Sequence, residues 1–267
     1  MSISAPPAYD RPYRAERAAF LWLLEREVVR FLKIWRFTIA GQSLSALLFL
    51  IVFGFALSGR ITGIGGIPYD RFILPGLVVQ AVIMVGYING TTSLFEARHD
   101  RYLHDVLASP LRWWEINLAL VLGGVVREIL TAAGILVIAV PLTGIGVQRP
   151  LVTSVAALAL LISAAQVGVL AGAYSTSLDH VYSIEALVVL PLGFLSGIFY
   201  STSRLPEAWN VLSHLNPILY YVEALRSGLL GHGSLPALAA LAAAVGGAAL
   251  LSGWSLLVFR SGAQLKP

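Results

Sequence analysis

The densest run of titratable side chains is HDRYLHD, His99 to Asp105, set between two long apolar stretches. Two histidines and two aspartates so close together invite a metal. Their spacing argues otherwise: His99 and His104 are five apart, about 140° around a helix, whereas H-E-x-x-H brings two ligands to one face with a separation of four. Asp100 and His104 have that separation, but no third ligand is evident, and solvated contact residues are the plainer reading. Inside the apolar runs, Arg127 and Glu128 stand side by side. Burying either unpaired would cost several kcal/mol, by typical estimates. As neighbours they point about 100° apart, so each needs its own partner on another helix or at an interface. Structural pairing and contact with an anionic substrate headgroup are both open.

Covalent and nucleotide chemistry have little to build on. The chain has no cysteine, which excludes disulfides, thiolate nucleophiles, iron–sulfur clusters and cysteine zinc sites. Its two lysines, Lys33 in FLKIW and Lys266 in QLKP, both lie outside any G-x-x-x-x-G-K-[ST] loop, so no phosphate cradle is expected. A membrane-embedded enzyme would need convergent titratable groups, and beyond Arg127, Glu128 and Glu185 the apolar runs hold almost none. An ion-coupled transporter or channel would want buried carboxylates or an internal repeat, and neither is evident.

The elements that position these residues follow from composition. Charged residues are 12% of the chain, against about a quarter in soluble domains, and apolar residues are 57%. The 267 residues divide best into membrane spans of about 20 residues and their connections. Six runs qualify: Phe37 to Ser58, Phe72 to Phe95, Ile116 to Leu142, Leu151 to Ser175, Val181 to Tyr200 and Leu235 to Phe259. They form one transmembrane domain, residues 37–267, behind a tail and interfacial helix, residues 1–36. In that opening segment Phe20, Leu21, Leu24, Val28, Phe31, Leu32 and Trp35 recur at helical spacing, which predicts an amphipathic helix on the membrane surface, with a soluble helix packed on a partner as the alternative. It does not read as a signal peptide, because a span-length run follows without a small-residue cleavage pattern.

Basic residues orient the chain. Twelve fall before span one, after span two or after span six; five fall on the opposite side, and Arg127 lies within span three. Both termini are therefore expected in the cytoplasm. The net charge of +4 suits anionic lipid headgroups and not nucleic acid.

Two connections are more than loops. From Glu96 to Ala108 the chain can form a helix with Tyr102, Leu103, Val106 and Leu107 on one side and Arg98, Arg101 and Asp105 on the other, more exposed side, ending at Pro110. After span five, Leu205, Ala208, Trp209, Leu212 and Leu215 form one apolar stripe and Ile218, Leu219, Val222, Leu225 and Leu229 another. Asn216-Pro217 separates them, which predicts two half-helices in or on the outer leaflet. The aromatics Tyr200, Trp209, Tyr220 and Tyr221 cluster there, as an interfacial belt or as a surface for stacking on sugar rings.

These connections carry a family resemblance. Glu96, Leu107 and Pro110 stand where ABC-2 type transporter permeases have an acidic residue, a leucine and a proline after the second span. LNPILYYVEALRSGLLG, Leu215 to Gly231, resembles the family's N-P…R…G stretch before the last span, with Asn216, Pro217, Arg226 and Gly231 in matching places. The resemblance implies an all-α fold with six transmembrane helices, an N-terminal interfacial helix, a cytoplasmic coupling helix and outer re-entrant half-helices. It implies the permease of an exporter, a homodimer or a heterodimer with a similar permease, beside two ATP-binding subunits that hold ATP and magnesium. This chain itself would bind no cofactor. The coupling helix, with Glu96, Arg98, Arg101, Leu103, His104, Asp105, Val106, Leu107 and Pro110, would sit in a groove of the ATPase. Its movement would tilt spans two and three.

The resemblance also places spans one, two and five around the transport path. Gln42, Ser45, Gln80, Asn89 and Ser196 are then candidate lining groups, with Arg127 a candidate for an anionic headgroup. Three G-x-x-x-G pairs, Gly86 with Gly90, Gly168 with Gly172 and Gly193 with Gly197, allow close helix approach. The last of these, beside Pro191, is the best candidate for a cavity or assembly role. The expected cargo is an amphipathic or lipid-linked molecule, lipo-oligosaccharide or polysaccharide first and hydrophobic drugs next, moved out across the inner membrane.

Overall fold

Hydropathy at this level makes helices the only economical elements, because a helix satisfies its own backbone polar groups in hydrocarbon. The computed structural model describes residues 13–56, 63–100, 102–202 and 205–262, and their regular secondary structure is helical apart from one bridge between Ile64 and Ile67. Helix α1 is Tyr13–Leu32. The first span, Arg36–Gly54, centres on α2 (Gly41–Phe49) between two π-helical stretches, Arg36–Ala40 and Leu50–Ala56. Helix α3, Tyr69–His99, leads through the short α4, Leu103–Ala108, into α5, Trp113–Thr143. Then come α6 (Pro150–Tyr174), α7 (Leu178–Ile184), a π-helical stretch Glu185–Val189 and α8 (Leu190–Phe194). Two further helices, α9 (Glu207–Leu215) and α10 (Pro217–Leu230), precede α11 (Ala237–Ser261).

Five of these are long and apolar enough to cross a membrane: Arg36–Gly54, α3, α5, α6 and α11. The fifth expected run, Val181 to Tyr200, is different. Helix from α7 through α8 stops at Phe194, short of about 20 residues, and turns at Gly197, whose φ of +74° is open chiefly to glycine. Local chemistry sets several ends. The Arg112 N–H donates to Glu115 Oε2 at 2.7 Å to start α5, and Pro150 occupies the first turn of α6. Asn216 Oδ1 accepts from the Ile218 N–H at 3.0 Å to cap α10.

Helix α3 is the axis of the bundle. It packs along α6 with Gly86 and Gly90 against Gly168 and Gly172, so closely that a Cβ at Gly90 would collide with the backbone of Gly168 and Val169. Thr91 Oγ1 donates to the Gly168 carbonyl at 3.1 Å across that crossing. Two of the three small-residue pairs thus serve packing within one chain.

Helix α1 corrects the expected orientation. Leu23, Glu27 and Phe31, each four residues from the next, are its buried line against α5, while Leu21, Trp22, Leu32 and Trp35 from the expected apolar side or beside it are exposed. The inward line can hold a carboxylate because Arg26 and Arg30 on the same helix and Ser93 on α3 supply its partners. Exposed leucines and tryptophans then face outward, as they can where the surrounding medium is lipid.

Candidate functional site

Four polar groupings stand out along the bundle. The first is a cavity of about 230 Å3 between α2, α3 and the α8 end of the fifth segment. Gln42 and Ser45 from α2 and Gln80 from α3 line it together with Phe49, Phe194 and Phe199. The rings form a continuous cluster, with Phe194 and Phe199 centroids 5.9 Å apart and Phe49 and Phe199 6.4 Å apart. Gly193 permits the approach: a Cβ there would run into the Gln80 amide. The Gln80 Oε1 is buried and accepts no hydrogen bond among the described residues. The result is an amphipathic chamber, with amide and hydroxyl groups from α2 and α3 and aromatic faces from the end of α2, from α8 and from the turn after it.

Ser196 is not in the wall. It is fully buried, its hydroxyl donating to the Gly193 carbonyl at 2.5 Å, which stabilises the turn that ends the segment. Asn89 and Arg127 lie elsewhere too, in a second grouping where α1, α3 and α5 meet. There Glu27, with no exposed surface, accepts from Arg26 at 2.5 Å, from Arg30 at 3.3 Å and from Ser93 Oγ at 2.7 Å. Arg30 also donates to the Asn89 carbonyl at 3.0 Å and side chain at 3.2 Å and to Thr92 Oγ1 at 3.1 Å. Arg127 donates to Asn89 Oδ1 at 3.2 Å. Asn89 therefore joins an arginine of α1 to an arginine of α5 through one side-chain oxygen. Glu128 is buried beside Gly86, and neither of its carboxyl oxygens accepts a hydrogen bond among the described residues.

The third grouping is the connection below α3. The expected continuous helix from Glu96 to Ala108 is broken: Glu96 and Arg98 belong to the end of α3, and a new helix begins at Leu103. A straight continuation would carry Leu103 away from the bundle, whereas the break lets it bury among Leu23, Leu94 and Ile116. Tyr102 lies beneath the Arg26 guanidinium, 4.9 Å from ring centroid to charge. Burial pushes its hydroxyl pKa upward, and Arg26 pulls the other way. Val106 is half-buried, Leu107 is 41% exposed, and His104, Asp105 and Pro110 are exposed. Arg101 lies outside the described residues. Between α1 and α4 runs a cleft of about 440 Å3, bordered by Trp22, Arg26, Asp105 and Val106. Glu96, half-exposed, reaches Arg30 at 3.6 Å.

Arg98 corrects the expected exposed face. Its guanidinium donates to the carbonyls of Gly172 at 2.5 Å, Ala173 at 3.2 Å and Ser175 at 3.1 Å, the unpaired C-terminal end of α6. Removing a charged donor from such carbonyls costs about 1.5–3 kcal/mol. Arg98→Ala is therefore expected to lower the melting temperature of the detergent-solubilised protein by roughly 5 °C, with Arg98→Lys recovering part. An unchanged melting curve would show that these contacts add nothing.

On the far side, α10 is held by charge. Arg226 and Glu223, each about 1% exposed, form an ion pair one helical turn apart. The arginine also donates to the Gly197 carbonyl at 2.8 Å and the Phe72 carbonyl at 3.4 Å and lies 3.8 Å over the Phe72 ring. Glu223 Oε2 accepts from the N–H groups of Ser234 at 2.5 Å and Leu235 at 3.3 Å, fixing the turn into α11. Asn216 Nδ2 donates to the Leu192 carbonyl at 2.6 Å, and the Tyr220 hydroxyl to the His214 carbonyl at 2.8 Å. Trp209 and the rest of the α9 apolar stripe, Leu212 and Leu215, are exposed. Glu27 and Glu223 escaped the sequence reading, although each carried a signal: Glu27 interrupts the line Leu23–Phe31, and Glu223 precedes Arg226 at the spacing of a helical ion pair.

Comparison with known proteins locates this arrangement. The sequence profile described as "ABC-2 type transporter" matches residues 18–230. The chain is 35% identical over 214 residues to the inner membrane transport permease YadH of Escherichia coli (strain K12), covering 79% of this chain and 82% of that one. It is 24% identical over 197 residues to nodulation protein J of Rhizobium leguminosarum bv. trifolii, covering 73% and 75% of the two chains. A third similarity, to nodulation protein J of Sinorhizobium fredii (strain NBRC 101917 / NGR234), is 24% over 197 residues, 72% and 74% of the two chains.

Proposed function

Because this chain belongs to the ABC-2 type transporter family, whose permeases pair with an ABC ATP-binding subunit, we propose that it forms the membrane path of an inner-membrane exporter for amphipathic or lipid-linked molecules. A lipo-oligosaccharide or polysaccharide lipid is the favoured cargo, with hydrophobic drugs the alternative within the family. The observation that carries this reading is the chamber in which Gln42, Ser45 and Gln80 face Phe49, Phe194 and Phe199. Hydrogen-bonding groups beside aromatic faces suit a ligand with both polar and apolar parts.

In this reading residues 37–267 form six spans, the shortened α7–α8 segment being the fifth, and two copies of the permease enclose the path. Two ATP-binding subunits hold ATP and magnesium, and each receives the α4 surface, where His104, Asp105 and Leu107 are exposed. The break before Leu103 and the grip of Arg98 on α6 support a lever in which α3 and α6 move as one body, so that ATPase closure reaches span four as well as spans two and three. The α1–α3–α5 network of Glu27, Arg30, Asn89 and Arg127 ties the N-terminal helix to the same body.

Reconstitution tests the assignment. The permease alone is expected to show no ATP hydrolysis. With its ATP-binding subunit, hydrolysis should respond to an amphipathic oligosaccharide lipid. Gln80→Leu should weaken that response by about threefold to tenfold in apparent affinity, the worth of one hydrogen bond. A response identical in parent and variant would remove the chamber from the path.

Orientation is tested separately: cysteines at Ser2 and Ser109 should resist an impermeant thiol reagent outside sealed cells, and one at Ser234 should react. Labelling of the first two would reverse the topology.

A further inference from the structure

A second cavity, of about 520 Å3, lies on the other side of the fifth segment. There α7 through α8 and α11 stand apart without substantial packing contact, and the gap between them is floored by α6 and closed at one end by Pro217 and Ile218 of α10. Val167 and Leu170 form the floor, Val188 and Leu192 one wall, Leu250 and Leu251 the other. This is not the Gln80 chamber: Leu190 and Phe194 line that one, and Val188 and Leu192, on the opposite face of the same helix, line this one.

Below its Tyr174 rim, the hydroxyls bordering the cleft are already spoken for. Tyr87 donates to the Val181 carbonyl at 2.8 Å, and Tyr221 and Ser163 share a hydrogen bond of 2.6 Å. Water entering below that rim would find no free hydroxyl, and an empty gap would forfeit dispersion contacts along every wall. At the depth of two membrane-crossing helices, the medium that can fill it is hydrocarbon. The dimensions match one leaflet: from Ser163 to Tyr174 the α6 floor rises about 16 Å, roughly half of a 30 Å hydrocarbon core. At the Tyr174 end that ring lies 6.1 Å from Trp254, both exposed, as amphipathic aromatics are at headgroup level. Arg98 grips the carbonyls of Gly172, Ala173 and Ser175 at that same end of α6.

We propose that this cleft is a binding site for one acyl chain of a phospholipid of the cytoplasmic leaflet, with its headgroup beside Tyr174 and Trp254. The lipid takes the place of direct packing between the fifth segment and α11. The proposal requires that the apolar helices cross the bilayer, its choice of leaflet rests on the orientation given above, and it is independent of the substrate and partner assigned there.

The test uses the full-length permease with its ATP-binding subunit in lipid nanodiscs doped with a phospholipid carrying a diazirine midway along one acyl chain. After photolysis, label should concentrate on 163–174 and 247–254, about tenfold over Val137 and Ile138, which are exposed on α5. Val167→Trp with Leu251→Trp should fill the cleft and reduce that label by about tenfold, whereas Val137→Trp should leave it unchanged. Native mass spectrometry of the parent complex should retain one phospholipid per permease chain, a measurement independent of whether the filled variant folds. Even labelling of all exposed helices, label unaffected by filling, or no retained phospholipid would each overturn the proposal. So would efficient disulfide formation between two copies carrying Leu251→Cys, since a second permease would then occupy the cleft. Loss of transport with the acyl label intact would instead count against the exporter reading alone.

Discussion

Arg226→Met is expected to produce the largest loss of stability of any single substitution in α10. The guanidinium is about 1% exposed, pairs with Glu223, donates to the carbonyls of Gly197 and Phe72 and lies over the Phe72 ring. Methionine fills much of the volume but leaves Glu223 as a buried charge with only two backbone donors, Ser234 and Leu235. Breaking one side of a buried pair costs about 3–5 kcal/mol, a large share of a total stability of roughly 5–15 kcal/mol. The melting temperature in detergent should fall by on the order of 10 °C. Glu223→Gln in the same chain should recover part of the loss, because no buried charge is then left unpaired. If the single variant melts with the parent, the ion pair does not hold α10 in place.

Leu107→Asp is expected to have the largest effect on transport. Leu103, at 6% exposure, belongs to the permease core, whereas Leu107, at 41%, stands outside it. An aspartate at 107 therefore leaves the fold intact and charges only the surface proposed to enter the ATPase. Desolvating that charge unpaired would cost several kcal/mol, a drop in partner affinity on the order of a hundredfold. Copurification of the ATP-binding subunit and substrate-stimulated hydrolysis should fall together, while insertion and melting of the permease stay as they were. Leu103→Asp is the contrast, because it should destabilise the permease itself. Normal partner binding and an unchanged transport rate in Leu107→Asp would reduce α4 to a connection lying on the headgroups.

The legible and illegible parts of this protein divide along physical lines. Span-length hydropathy sums over about 20 residues and needs no partner, so five of the six expected spans could be read from composition and order, whereas the turn at Gly197 that shortens the fifth run and the break before Leu103 could not. Asn216-Pro217 acts within a single turn, and two helices do part there. The family, too, was legible, because its marks lie in such local stretches around Glu96 and from Leu215 to Gly231.

Facing was not legible. Periodicity separates apolar from polar sides, but lipid accepts an apolar side as readily as a protein core does. Leu21 and Trp22 could not be told from Leu23 until α1 was laid against α5 with Glu27 inside. The sequence by itself determined a helical membrane protein with a charged connection after Phe95, because those properties come from runs of neighbouring residues. Only the tertiary structure decided that Arg98 holds the end of α6, that Asn89 joins Arg30 to Arg127 and that Gln80 meets Gln42 across a chamber. Each of those contacts joins residues far apart in the chain, and the angle and depth at which their helices cross set which side chains meet.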